Sequence, residues 1–156
     1  MYRLFLFFSL CFSVLSADFL HVDSPSARLS DFVYKTPNDV LVKIPKDVKI
    51  IITSFEKETG ALVNEFLQNQ HVTYLVGHSA VFIADISKMP SVITTMFAIP
   101  KLKKYKHPIH LNYGEGFGTV VPAKEDKVTL LFVENGKIKE IRYVATKEEL
   151  RAAIEK

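Results

Sequence analysis

The sequence is poor in cysteine and carries little excess charge. Its one cysteine, Cys11, lies in an apolar segment near the N-terminus, and no cysteine follows it. Thiols form disulfide bonds, bind soft metals and act as nucleophiles, so none of these roles is open to the chain beyond that segment. The formal net charge is only +3, without the basic excess that is typical of nucleic-acid-binding domains. We therefore expect neither thiol chemistry nor nucleic-acid binding.

A hydrophobic run long enough to span a membrane is also missing, because a spanning helix needs roughly 18–20 apolar residues. The nearest candidate, Leu4–Leu15, is shorter, follows the basic Arg3 and ends close to the small residue Ala17. This pattern predicts a cleavable signal peptide over residues 1–17; an uncleaved membrane anchor is the alternative. We expect the exported chain to reside in a bacterial periplasm, without a transmembrane segment in its mature part.

The remaining residues predict a short arm and one domain. Residues 18–30 are polar and interrupted by Pro25, which is typical of a leader arm. Residues 31–156 predict an α/β domain that begins with a β-hairpin, followed by two apolar strands separated by a helix. The strands expected in this part are Asp31–Lys35, Val40–Ile44, Val48–Thr53 and Ala80–Ile86.

Two helices are expected in the first part of this domain. The spacing of Thr53 and Glu56 is that of a capping box, which predicts a helix start after Thr53. Its expected inner face consists of Thr59, Leu62, Val63, Phe66 and Leu67. Pro90 is expected in the first turn of the second helix, where Ile93, Met96 and Phe97 form the apolar face.

The C-terminal third has the clearest pattern. Two alternating segments, 127–133 and 137–144, flank Asn135-Gly136, a strong signal for a β-hairpin. Thr146 and Glu149 then have the spacing of a second capping box and predict a final helix.

This order of elements resembles that of the thioredoxin fold. The segment Val128–Ile138 and the capped helix after it look like the last hairpin and helix of thioredoxin-like proteins. The leading hairpin resembles the N-terminal extension of the periplasmic and peroxiredoxin-type branch. The resemblance implies an α/β, thioredoxin-like fold: a central mixed β-sheet flanked by helices, with an N-terminal β-hairpin extension.

The functional motifs of that family are replaced here. Ser54–Gly60 occupies the place of the Cys-x-x-Cys pair, and Val128 occupies the place of the family's cis-proline. A cis bond before valine would cost about 2.5–4 kcal/mol, so we expect a trans peptide there. The resemblance therefore implies a redox-inactive protein that binds a partner or assists assembly, and it leans against an enzyme.

A narrower likeness concerns Ala84–Pro90 and Phe97–Tyr105. These segments are similar to small exported bacterial proteins of unestablished function, some of which are labelled FAD/FMN-containing dehydrogenases. The chain has no Gly-x-Gly-x-x-Gly motif after a strand, so we predict no cofactor. The alternative function is that of a non-thiol enzyme, or of a protein that binds a small ligand such as a flavin. In either case its site would lie near Asp85.

Two groups of residues are candidates for binding. The first follows a buried strand at the edge where open α/β sheets bind ligands, although the same residues could simply cap the next helix. The second is a lysine group that could bind an acidic protein partner or anionic lipid heads, or could be an ordinary solvated helix end. The first group is Asp85, Ser87, Met89 and Pro90; the second is Lys101, Lys103, Lys104 and Tyr105, with Lys106 next to it.

Two further features are expected to carry no site. His107 and His110 could share a metal, but Pro108 disfavours a common helical face and no carboxylate cluster is nearby, so we predict no metal. Gly114–Gly118 predicts a mobile loop, because strand-like residues rather than a helix follow it. The oligomeric state is left open by the sequence.

Overall fold

The computed structural model describes residues 29–156, so the predicted signal peptide and almost all of the predicted leader arm lie outside the described residues. The described part has seven strands and five helical segments. The strands are β1 (Tyr34–Lys35), β2 (Leu41–Val42), β3 (Ile50–Ser54), β4 (Ala80–Asp85), β5 (His110–Asn112), β6 (Val128–Glu134) and β7 (Lys137–Val144). No helix among residues 29–156 is long and apolar enough to cross a membrane.

Helix α1 is Lys57–Gln68, α2 is Tyr74–Gly77, α4 is Phe117–Val120 and α5 is Lys147–Ile154. Helix α3 is continuous but not uniform. It consists of Ser91–Ile93, a π-helical turn over Thr94–Ala98, and Ile99–Leu102.

All seven strands form one mixed sheet in the order β2-β1-β5-β4-β3-β6-β7. The three inner strands β3, β4 and β5 are parallel, and every other pairing is antiparallel. The connections from β3 through α1 to β4, and from β4 through α3 to β5, step in the same direction across the sheet. Right-handed crossovers therefore place α1 and α3 on the same face.

Side chains from successive positions of each central strand enter two separate cores. On β3, Ile50 and Ile52 pack with α1 and α5, whereas Ile51 packs with the aromatic group around Phe117 on the opposite face. The isoleucine-rich strand β3 is therefore covered on both faces. Leu29, placed in the leader arm by the sequence, is buried in the second core, and its carbonyl accepts a hydrogen bond from the Tyr34 hydroxyl (2.8 Å).

The predicted C-terminal hairpin is confirmed. Asn135 and Gly136 have φ values of 51° and 73°, which the tight turn between β6 and β7 requires. The predicted final helix is also confirmed, with Thr146 as its N-cap. The Glu149 N–H donates to the Thr146 hydroxyl (3.1 Å), and the Glu149 carboxylate accepts from the Ala145 N–H (2.7 Å) rather than from the Thr146 N–H that a full capping box would use.

The first capping box is misplaced in the sequence interpretation. Thr53 belongs to β3, and its hydroxyl donates to the Thr129 carbonyl across the sheet (3.2 Å). Helix α1 begins three residues later, with Glu56 as N-cap and with the Glu56 N–H donating to the Thr59 hydroxyl (3.3 Å). Because the Thr53 hydroxyl is used in the hydrogen bond across the sheet, Thr53 does not cap the helix. Glu56 and Thr59, the next pair with suitable spacing, cap it instead.

The segment after His107 is more regular than a mobile loop. It forms β5, which pairs with both β1 and β4, and then α4, whose Phe117 is fully buried. The predicted N-terminal hairpin extends the sheet, and β5 joins it to the central strands.

Candidate functional site

The junction between β3 and α1 is where the thioredoxin resemblance places a reactive cysteine pair. Ser54 ends β3 and is buried, and Glu56 begins the helix. The Glu56 carboxylate accepts a hydrogen bond from the Asp126 N–H (3.1 Å), which ties this junction to the loop before β6. No cysteine occurs among residues 29–156, and no peptide bond in this range is cis, so the expected trans bond before Val128 is present.

The Asp85 carboxylate lies at the end of β4 and acts within the fold. Its Oδ1 accepts hydrogen bonds from the Ser87 N–H (3.1 Å) and from the buried Asn112 side chain (2.9 Å). The same Asn112 amide donates to the Gly114 carbonyl (2.8 Å), and its oxygen accepts from the Gly114 N–H (3.3 Å). These bonds lock the ends of two neighbouring parallel strands to the turn that follows β5. Burial, and then the negative charge of Asp85, raises the pKa of the Tyr34 hydroxyl.

The other members of the Asp85 group differ in burial. Met89 is half-buried and packs against the core, whereas Pro90 is exposed and precedes α3. The Pro90 carbonyl accepts two hydrogen bonds from Thr94, one from its N–H (2.9 Å) and one from its hydroxyl (3.1 Å). The local bonding at Asp85 and Pro90 is therefore that of a strand end and a helix start.

Helix α3 has the reverse of the usual polarity for a helix that packs on a sheet. The predicted apolar face points away from the core: Met96 is 64% exposed, Phe97 63% and Ile93 45%. Val92 is exposed beside them, whereas the polar Thr94 is only 7% exposed. The predicted apolar face of Ile93, Met96 and Phe97 is therefore present, but it is exposed. We call the residues Val92, Ile93, Met96 and Phe97 the α3 patch.

The spacing of the patch residues places them on a single face. They form pairs four apart, at 92/93 and 96/97, and residues four apart lie on the same side of a helix. The π-helical turn over Thr94–Ala98 is wider than the 3.6-residue α turn and keeps this alignment. Thr94, Ile99 and Leu102 face the other way, and the latter two pack against the core. The sequence pattern indicates the apolar face, but not the π turn or the exposure of the face.

The predicted lysine group continues from the end of this helix. Lys101, Lys103 and Lys104 are exposed, and Tyr105 is half-buried against the core. A groove of about 580 Å³ lies between this segment and the end of α1. It is lined by Leu67, Gln68, Gln70, Val72, Lys101, Lys104, Tyr105, Lys106 and His107. Lys103 is absent from the lining, and Lys106 and His107 belong to it.

His107, which lines this groove, forms a buried polar pair with Asn64. The His107 Nε2 lies 2.9 Å from the Asn64 side-chain oxygen, and the Asn64 amide donates to the Gly60 carbonyl in α1 (2.8 Å). Because a side-chain amide oxygen only accepts, Nε2 carries the hydrogen. Burial lowers the pKa of His107 to about 4, so the imidazole is neutral near pH 7. The sequence interpretation placed Asn64 outside the inner face, and its pairing partner is 43 positions away.

Tyr105 stacks at an angle on His107, with ring centroids 5.2 Å apart. Burial, and then the negative charge of Glu65, raises the pKa of the Tyr105 hydroxyl, which is therefore a hydrogen-bond donor at neutral pH. Within residues 29–156, no hydrogen bond joins that hydroxyl to another side chain or to the backbone.

The histidine pair does not form a metal centre in the described part of the chain. No group of three or more His, Cys, Asp or Glu side chains converges there. His110 lies on β5 near Tyr34, and its Nδ1 has no hydrogen-bond partner among residues 29–156. Burial lowers its pKa, an effect opposed by backbone hydrogen bonds at Lys43 and Phe82.

A second cavity, of about 460 Å³, lies at the opposite edge of the sheet. Lys49, His78, Arg142 and Lys156 are among its lining residues, so it is also basic. Neither of these two cavities borders Asp85.

Comparison with solved structures gives several related architectures. An uncharacterised thioredoxin-like protein from Porphyromonas gingivalis is 16% identical, with a TM-score of 0.53 over 83% of this chain and 90% of that chain. A mutant of peroxiredoxin Q from Xanthomonas campestris is 11% identical, with a TM-score of 0.51 over 83% of this chain and 93% of that chain. The chain has a thioredoxin-like fold.

Sequence comparison adds no closer relationship. No protein-family model matches the chain, and no curated protein matches it. At such low identities the solved structures establish the fold alone. The mixed seven-strand sheet flanked by helices confirms the predicted fold class, whereas the flavin-dehydrogenase label has no support.

Proposed function

We propose that this chain is an exported, redox-inactive thioredoxin-like protein of the periplasm that binds a protein partner through the α3 patch and the adjacent lysines. Export is inferred from the signal-like residues 1–17, which include the one cysteine. Without cysteine in the remaining chain, the junction of Ser54 and Glu56 has no group that could exchange disulfides.

The observation that carries the binding role is the inverted polarity of α3. Four large apolar side chains are exposed on one helical face while a threonine is buried beneath them. Exposed apolar side chains that are contiguous mark interaction sites far more often than single ones do. Aromatic residues and methionine are also enriched at protein interfaces, which fits Phe97 and Met96.

The lysines make the proposed interaction selective for an acidic partner. Lys101, Lys103 and Lys104 follow the patch directly, and none of them forms an ion pair within residues 29–156. Unpaired cations beside an apolar patch attract a partner that carries acidic residues around its own apolar contact. The proposed role is thus to hold or help to assemble an acidic partner, without a chemical step.

The test is affinity capture of the tagged, exported protein from periplasmic extract, with an absorbance scan of the eluate. We expect one partner in stoichiometric amount and no chromophore. Replacing both Met96 and Phe97 with Ser, or Lys101, Lys103 and Lys104 together with Glu, should remove the partner.

The matched control replaces Val40 and Leu41 with Ser, because these are also exposed apolar residues but lie on the N-terminal hairpin. This variant should retain the partner. A partner that survives both α3 variants, or a coloured eluate without any partner, would contradict the proposal and favour the small-ligand alternative.

A further inference from the structure

The groove beside α3 has a strongly one-sided charge. Three of its nine lining residues are lysines, and none is acidic. Glu65 in α1 is hydrogen-bonded to Lys147 (2.6 Å), and its negative charge also acts on Lys101 and Tyr105. Glu65 does not line the groove, so the lining itself is basic and contains no carboxylate.

Its geometry favours a singly charged carboxylate over a phosphate. Leu67 and Gln68 belong to the last turn of α1, and Lys101 to the last turn of α3, so both helices border the groove with their carbonyl ends. Helix C-termini carry partial negative charge and disfavour a dianion. Phosphate sites rely on helix N-termini or bidentate arginine, and the lining contains neither.

The groove also provides apolar surface and hydrogen-bond donors that suit a side chain ending in a carboxylate. Leu67 and Val72 line it with aliphatic surface, which suits the methylene groups that carry a carboxylate. The Tyr105 hydroxyl is protonated at neutral pH and supplies a neutral hydrogen bond beside the ammonium groups of Lys104 and Lys106.

We propose that this groove binds the carboxylate of a glutamate or aspartate in a peptide segment whose apolar residues lie on the α3 patch. The proposal rests on the function proposed above and names the chemistry that the partner must present. Lys101 lies in the last turn of the helix that carries the patch, four residues after Phe97, and also lines the groove, so the patch and the groove adjoin.

Two matched libraries of capped octapeptides provide the probe. Each peptide has apolar residues around a fixed central position, which is glutamate in one library and glutamine in the other. Binding of the peptides to the purified protein is measured by fluorescence anisotropy. NMR is used to follow the chemical shifts of the backbone amides of Tyr105 and Lys106. We expect the best glutamate peptides to bind about 10-fold more tightly than their glutamine counterparts, since charge-assisted hydrogen bonds exceed neutral ones by that order.

Adjacent lysines offer a matched pair of variants. Lys104 lines the groove and Lys103 does not, although both are exposed and each carries one charge. Lys104→Gln should weaken binding of the glutamate peptides about 10-fold, whereas Lys103→Gln should weaken it less than 2-fold. Equal effects of the two substitutions would show only general charge attraction and would overturn the proposal.

Other results would also overturn it. These are equal binding of the two libraries, no binding of either library, and displacement of the bound peptide by inorganic phosphate at lower concentration than by acetate. Failure of the proposed function would give a different result. If glutamate-selective binding depends on Lys104 but survives Met96→Ser with Phe97→Ser, the groove is a carboxylate site and the α3 patch is not part of the binding surface.

Discussion

Asn64, inside α1, and His107, in the segment after α3, form a buried polar contact that should affect how stability depends on pH. A neutral imidazole satisfies the Asn64 oxygen, and the pair fills space beneath the groove. The cost of this arrangement is that His107 does not accept a proton until about pH 4. In the unfolded chain it would do so near pH 6.5.

The stability of the protein should consequently fall in acid. Between about pH 6.5 and 4 the unfolded state binds a proton that folded His107 does not, so the free energy of unfolding decreases as pH is lowered through this window. One proton corresponds to at most about 1.4 kcal/mol per pH unit. His107→Gln keeps an N–H donor for Asn64 but does not titrate, and should flatten the curve of unfolding free energy against pH.

Urea unfolding monitored at intervals between pH 4 and 7 measures this slope. The exposed His71→Gln serves as the control and should leave the slope unchanged. Equal slopes for the wild type and His107→Gln would mean that His107 titrates normally in the folded protein.

Asn112 has a comparable structural role at the strand ends. It is fully buried and donates to both the Asp85 carboxylate and the Gly114 carbonyl. Asn112→Ala removes both donors from acceptors that are partly buried, and should destabilise the protein by about 1–3 kcal/mol.

Asn69→Ala is the control, since Asn69 also donates to a backbone carbonyl but on the exposed end of α1. Its loss should cost less than about 1 kcal/mol in the same urea experiment. A similar small loss for Asn112→Ala would show that water replaces its hydrogen bonds.

Side chains of this kind were beyond sequence reasoning for a physical reason. Besides local backbone partners, Asn64 bonds to a side chain 43 positions away and Asn112 to one 27 positions away, and no local pattern encodes such pairings. Asp85 could be singled out because it ends an apolar strand, but its partner could not. The lysine group was visible as a charge cluster, whereas the division of Lys103 from Lys104 depends on how the chain turns after α3.

Helix α3 is the element in which folding and binding make different demands on the same residues. Its exposed patch contributes little to the core, so replacing Met96 and Phe97 with Ser should change the free energy of unfolding by no more than about 0.5 kcal/mol for each site. Leu150→Ala, in the buried face of α5, should cost about 2–5 kcal/mol. Urea denaturation of the two variants makes the comparison, and a cost above about 2 kcal/mol for the serine variant would place the patch in the core.

Capping shows which elements local sequence can define. Thr146 follows β7 without a competing partner and caps α5 as predicted. Thr53 has the same local signal, but its hydroxyl donates instead to the Thr129 carbonyl on the neighbouring strand. The π turn of α3 likewise lacks a local signal.

At the scale of the whole molecule, the order of strands and helices follows from periodicity and turn residues, and the fold class was predictable from them. The position of β5 was not, because a strand of three residues has almost no pattern of its own. It forms because β1 and β4 lie on either side of it. By pairing with both, β5 joins the predicted N-terminal hairpin and the central strands in one sheet.

The last prediction concerns the thiol content of the mature protein. If residues 1–17 are removed on export, the intact mass should correspond to a chain beginning at Asp18, and the unfolding midpoint should be the same with and without dithiothreitol, because no cysteine remains. The control is the full chain produced without export, which retains Cys11 and should form a disulfide-linked dimer on oxidation that dithiothreitol reverses. An exported protein whose mass includes Cys11, or whose midpoint shifts with the reductant, would refute cleavage and return the membrane anchor as the better interpretation of the apolar N-terminus.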